Sequence, residues 1–305
     1  MLDTKVKPYE FMIFPTVQKA WIEGKGRLLW LGLFFVEFGA SLFLVSSIFH
    51  CRWGETAGWL ITSILGVGCH FLFLGHPFRL YRAIRKPGSA WISRGLIIIS
   101  LFQLFGFFHL LLSYFSIPAP WLMIVANILA AATVAYGAYE LADVKPISVW
   151  HCSFLPIQMF ARSFFLAFAV MLGIYLLLDV GTIAYEVNVK KWVDIVLLVN
   201  VFLFSMYLIS LLFEEGKNRL ALGMMWGGSL KGIFWPWVAV GGMIIPLFLV
   251  IYSLSIGVAT TPAGVLLIAV ILQCIADPLL RYCMMRSGYY GGLFPSKPVD
   301  FRGAS

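Results

Sequence analysis

Eight stretches of the chain run for about twenty residues with few charged side chains, near 27–49, 56–76, 93–115, 119–142, 162–185, 191–213, 232–256 and 264–286. A helix rising about 1.5 Å per residue needs roughly 20 residues to cross a hydrocarbon core of about 30 Å, so each stretch predicts one membrane span. Apolar residues fill every side of these stretches, without the alternation that a β-barrel strand requires. The pattern predicts an all-α integral membrane protein with eight transmembrane helices in two four-helix bundles. The bundles occupy 27–142 and 162–288 and are joined by an interfacial connection at 143–161. Residues 1–26 hold Asp3, Lys5, Lys7, Glu10, Lys19, Glu23 and Lys25 around no apolar core. They read as a membrane-surface segment and not as a cleavable signal peptide, and 289–305 as a C-terminal tail.

Composition agrees with the pattern. Hydrophobic residues make up 61% of the 305 and charged ones only 12%, against about 25% charged in soluble domains.

Charge placement orients the chain. Of 22 Lys and Arg, 19 fall on the side that holds both termini and the even-numbered connections; only Arg52, Lys190 and Lys191 fall on the other. Short basic loops stay in the cytoplasm, so both termini are expected there, in an inner (cytoplasmic) membrane.

The five cysteines, Cys51, Cys69, Cys152, Cys274 and Cys283, lie in or beside separate spans with no C-x-x-C pair. Iron–sulfur clusters and structural zinc take closely spaced ligands, so neither is expected in this chain. Haem is disfavoured by depth: His70 is about 8 Å from the basic end of its span, whereas His109 is about 22 Å from the same face.

Between the second and third runs stands "GHPFRLYRAIRKPGSAWISRG" (75–95), a hairpin with five cations. Gly75, Pro77, Arg79, Tyr81, Pro87, Ser89, Trp91, Ser93, Arg94 and Gly95 resemble the inter-helix loop of the NrfD-type (polysulfide reductase) membrane subunits, with His76 in place of the more usual Arg. "VWHCSFLPIQMFARSFFLAF" (149–168) and "LLRYCMMRSG" (279–288) resemble two further family segments in the same order. The first span, "LGLFFVEFGASLFLVSS" (31–47), matches loosely, because Glu37 stands where a small residue is common.

The resemblance implies a membrane anchor that binds menaquinone or ubiquinone and carries no haem or iron–sulfur cluster of its own. Its partners would be a ferredoxin-like iron–sulfur subunit with four 4Fe–4S clusters and a catalytic subunit holding a molybdenum or tungsten pterin. The bottom-up reading is compatible, since a chain without a redox centre serves electron transfer only by placing a quinone beside another subunit's cluster.

Polar groups within roughly 4 to 15 Å of the basic face of the first four spans mark such a pocket. They are Glu37 and His70, expected to exchange the protons, with Gln103, Tyr136 and Tyr139 as quinone hydrogen-bond partners. Strongly polar groups in hydrocarbon are costly unless they serve a site. Arg79, Arg82, Arg85, Lys86 and Arg94 are expected to dock the iron–sulfur partner, with lipid headgroups as the competing ligand. In the second half, Asp277 and Arg281 are four apart and expected to pair; Asp179 and Asp277 are candidate stations of a proton path. A secondary transporter, suggested by Gly241–Gly242 ahead of Pro246, and a haem b-containing cytochrome subunit are the competing classes. The cation bias predicts that the partner subunits sit on the cytoplasmic side, which suits a substrate made inside the cell.

Overall fold

The computed structural model describes residues 15–74, 87–88, 91–147, 149–152, 154–178, 183–213 and 217–290. Among the described residues, eight helices are long and apolar enough to span a membrane, and the only sheet is one short strand pair. The chain is therefore a multi-pass, all-α membrane protein. The spans are α1 (Gly26–Ile48), α2 (Arg52–Phe73), α3 (Trp91–Tyr114), α4 (Pro120–Ala142), α5 (Phe154–Leu178), α6 (Val187–Phe213, whose helix starts at Ile183), α8 (Lys231–Ile256) and α9 (Ala263–Arg286). A shorter helix, α7 (Lys217–Trp226), precedes α8.

Local chemistry sets the ends. Pro120 opens α4, where its missing N–H costs nothing, and Gly257, at φ +95°, stops α8 in a conformation closed to other residues. Two spans are not regular throughout: α2 widens into a π-helix over Ile61–Val67, and α8 does so over Phe234–Ile244. The second contains Pro236, which cannot supply an N–H to the ordinary ladder.

In α1 and α5, 61% of each hydrophobic window is buried, which makes them the inner helices. α1 packs on α2, α4 and α5; α5 packs on α6 and α9. Small residues allow the closest crossing. A Cβ on Gly39 or Gly58 would strike the backbone of the opposite helix, and one on Gly66 would strike Val36. Membrane helices gain no hydrophobic drive from water, so their association rests on such van der Waals approach.

At the face holding the termini, β1 (Thr16–Val17) pairs antiparallel with β2 (Tyr289–Tyr290). Gln18 donates its side-chain amide to the Met285 carbonyl at 2.6 Å, and the Trp150 indole donates to the Met284 carbonyl at 3.1 Å. These bonds close carbonyls at the C-terminal end of α9 that no intrahelical partner reaches.

The fifth span departs from expectation. It begins at Phe154 rather than 162, because Arg162 is not an edge cation but a buried residue inside the helix.

Candidate functional site

A cavity of about 590 Å³ lies among α2, α3 and α4, with Leu29 of α1 at its wall. Most of the lining is apolar, as at Trp59, Phe71, Leu104 and Phe107. Phe71, Leu104 and Phe107 are also exposed on the outer surface, so in a bilayer the cavity lies open to lipid. The polar groups in the wall are His70, Ser100, Gln103, Tyr136 and Glu140.

His70 is held by a hydrogen bond of 2.8 Å between Nδ1 and the Gly66 carbonyl. A carbonyl only accepts, so Nδ1 carries the proton and Nε2 of the neutral ring keeps its lone pair. The ring fits because residue 32 is glycine: a Cβ there would lie 2.6 Å from Nδ1. Gln103 lies 12 residues into α3, about 18 Å at the usual rise, which carries the cavity towards mid-membrane. Its backbone carbonyl accepts from the Trp59 indole at 3.1 Å, and its side-chain oxygen accepts from the Ser63 hydroxyl. That leaves Gln103 Nε2, a donor, with no partner among the described residues.

Tyr136 and Glu140 stand one turn apart on α4 and are hydrogen-bonded side chain to side chain. Glu140 is 6% exposed, and its Oε2 has no partner among the described residues. The Tyr136 ring occupies space that any side chain at Gly95 would fill. The cavity thus offers one proton acceptor near the membrane edge, one amide donor deeper in, and one hydroxyl–carboxyl pair. The geometry suits a flat, lipophilic ligand with polar atoms at its ends.

Beside this cavity lies a buried charge cluster. Glu37 of α1, fully buried, accepts from Arg281 through both carboxylate oxygens, with Nη1 to Oε1 at 3.0 Å, and from the Ser163 hydroxyl at 3.2 Å. Arg162 of α5 donates its Nε to Asp277 at 2.5 Å. Two cations and two anions balance, which is what makes their burial tolerable in hydrocarbon. Nη1 and Nη2 of Arg162 and both ends of the Gln158 amide have no partner among the described residues. These two side chains line a void of about 10 Å³, enough for roughly one water.

The structure brings His70, Gln103 and Tyr136 to one cavity. Glu37 does not line it and is instead committed to Arg281. Tyr139, also expected there, turns outward: it is 50% exposed and stacks on Trp91, ring centroids 5.6 Å apart at 9°. Its neighbour Glu140 takes the inner position. Asp277 and Arg281 share a face as their spacing predicts, yet do not pair with each other; each pairs with a different helix. Arg94 donates to the Pro87 and Gly88 carbonyls at 2.7 and 2.9 Å and lies 4.8 Å from the Trp91 ring centre. Arg79, Arg82, Arg85, Lys86 and Asp179 lie outside the described residues. His109 pairs with Glu55 at 3.1 Å, towards the opposite end of the spans from His70.

Sequence reasoning missed Glu140, Ser163 and Arg162. A carboxylate four residues after Tyr136 in an otherwise apolar run was the available signal for Glu140; nothing local signalled the other two. Compared with known family models and with characterised proteins, the chain matches none.

Proposed function

We propose that this chain is the quinone-binding membrane subunit of a multisubunit oxidoreductase of the NrfD type. In this reading it exchanges electrons between the membrane quinone pool and a partner iron–sulfur subunit that serves a molybdenum- or tungsten-pterin catalytic subunit. The observation that carries the reading is the lipid-open cavity with His70, Gln103, Tyr136 and Glu140 in its wall. Its volume falls within the roughly 300–1,000 Å³ of ordinary ligand sites. The unpartnered Gln103 Nε2 suits a quinone carbonyl, and the free lone pair on His70 Nε2 suits a quinol hydroxyl.

A bound quinol supplies two electrons and two protons on oxidation, and the reverse reaction takes up the same. His70 Nε2 accepts one proton and the Glu140 carboxylate the other, each group lying near the basic face. Tyr136 holds the Glu140 carboxyl in place. In this reading the electrons pass to the partner's nearest cluster. The basic loop at 75–95 would dock that partner, and the cation bias places it on the cytoplasmic side.

Turnover of the complex with a soluble quinone analogue, set against turnover with a dye that feeds the partner directly, tests the reading. His70→Ala and Glu140→Gln should each lower quinone-linked turnover by about 10²-fold or more and leave dye-linked turnover intact. Loss of both activities together, or of neither, removes the pocket from the mechanism. The transporter reading is favoured by one feature, the widened α8 with Gly241 and Gly242 ahead of Pro246. Co-purification of a ferredoxin-like subunit separates the two.

A further inference from the structure

A second cavity, outside the proposed quinone pocket, lies between α5, α6, α8 and α9 and measures about 30 Å³, above the 10–15 Å³ that one water-sized guest needs. Its wall is apolar except for Asp194 of α6, Ser253 of α8 and Gln273 of α9. These are 8%, 2% and 1% exposed. Gln273 Nε2 donates to the Gly242 carbonyl at 2.8 Å, which fixes the amide and leaves Oε1 as its free end. Oε1 of Gln273 and Oδ2 of Asp194 both lack a partner among the described residues. Ser253 Oγ is held by the Thr261 hydroxyl at 2.9 Å. Apart from the Ser253 hydroxyl proton, the unfilled valences of the cavity are thus acceptor oxygens, one of them on a carboxylate.

A buried acceptor without a donor costs about 1–3 kcal/mol, more when it is charged. A carboxylate at this depth needs a counter-charge, and among the described residues no ion pair to Asp194 is found. Oxygen-only donors select hard cations over transition metals. One carboxylate neutralises one positive charge, so a divalent ion would leave net charge in the hydrocarbon. The geometry points to a monovalent cation site in the second half of the protein, with Asp194, Gln273 and Ser253 as oxygen ligands and Na⁺ as the ion. Ser253 stands three residues from the Ile256 end of α8, so the site lies towards the face opposite the termini. The bound ion ties α6, α8 and α9 together. This inference stands apart from the quinone reading, and either can fail without the other.

The test uses the full chain purified in detergent, with NaCl exchanged for choline chloride at constant ionic strength. Thermal unfolding of the wild type should shift upward with Na⁺ and saturate, and Asp194→Asn should abolish the shift. Ser253→Ala should raise the half-saturating Na⁺ concentration by roughly tenfold, as loss of one ligand oxygen predicts. Because Asp194→Asn could fail to fold, binding of radioactive sodium to the wild type is measured in parallel and should approach one ion per chain. Absence of binding, a wild-type Tm flat in Na⁺, or an equal shift in Asp194→Asn each overturns the site. A wild-type Tm that answers to acidification alone also overturns it, showing that Asp194 is neutralised by a proton.

Discussion

Arg281 on the last span grips the carboxylate of Glu37 on the first, 244 residues earlier, through both terminal nitrogens. Glu37 is fully buried and Arg281 nearly so, and the pair acts as a latch between the first and last spans. Breaking one side of a buried pair strands the other charge, at a typical cost of about 3–5 kcal/mol, whereas replacing both by apolar groups is often close to neutral. Glu37→Ala should therefore destabilise strongly, and Glu37→Met combined with Arg281→Met should recover most of the loss. Thermal unfolding with a monodispersity check reads both; equal destabilisation by the single and double variants would show that the pair is not what holds these spans.

Why the latch was not legible follows from its range. The eight apolar runs could be read locally, because hydrocarbon demands length and hydrophobicity from each span separately. The polar residues His70, Gln103 and Tyr136 could be read because each stands out within its own run. Pairing could not: Arg162 finds Asp277 across 115 residues, and its position near the edge of an apolar run made it look like a loop cation. The same blindness placed Tyr139 in the pocket and passed over Glu140, since two neighbouring positions on a helix differ by about 100° and only packing against α3 decides which turns inward.

Three glycines make room for the polar groups at this end of the membrane, Gly32 for His70, Gly95 for Tyr136 and Gly137 for Glu37. Gly95→Ala forces the Tyr136 ring aside, and Gly32→Ala forces the His70 ring aside. Each should weaken binding of a quinone analogue by about tenfold or more, the loss of roughly one well-placed hydrogen bond. Gly68→Ala, on α2 with nothing near its added methyl, should leave binding unchanged and stabilise slightly, by up to about 1 kcal/mol. Equilibrium titration of the three variants decides, and equal behaviour of Gly68→Ala and Gly32→Ala would count against steric carving of the site.

The two tyrosines of α4 should separate cleanly. Tyr136→Phe removes the hydroxyl that holds Glu140 and should raise KM for the quinone analogue several-fold, for a loss of about 1 kcal/mol. Tyr139→Phe keeps the stacked ring against Trp91 and should change neither KM nor stability. An effect of Tyr139→Phe as large as that of Tyr136→Phe would restore Tyr139 to the site.

Arg94 is already occupied within its own loop, by two carbonyls and an aromatic face, so its contribution should be local order rather than attraction of a partner. Arg94→Lys keeps the charge but cannot reproduce two planar donors. It should increase proteolytic cleavage within 75–95, and partner retention should survive it. Arg82→Glu should do the reverse, leaving the loop protected while releasing the iron–sulfur partner at moderate salt, as an electrostatic docking contact would. If both variants release the partner alike, Arg94 belongs to the docking surface after all.

The direction in which the complex faces is the last expectation, and the structure changes its arithmetic. Arg162 and Arg281 were counted with the basic face, yet both are buried in ion pairs within the spans and carry no topological weight. Seventeen of the original nineteen remain, against Arg52, Lys190 and Lys191 on the other side, so the bias survives the correction. The β1–β2 pair sets the chain-terminal segments side by side on that same face, as an even number of spans requires. Retention of positive loops in the cytoplasm then predicts that the C-terminal tail lies inside. A fluorescent protein that matures only in the cytoplasm should be bright when fused after Ser305, and alkaline phosphatase fused there should be inactive. The opposite pair of signals would put the basic face outside, and with it the docking loop and the partner's substrate.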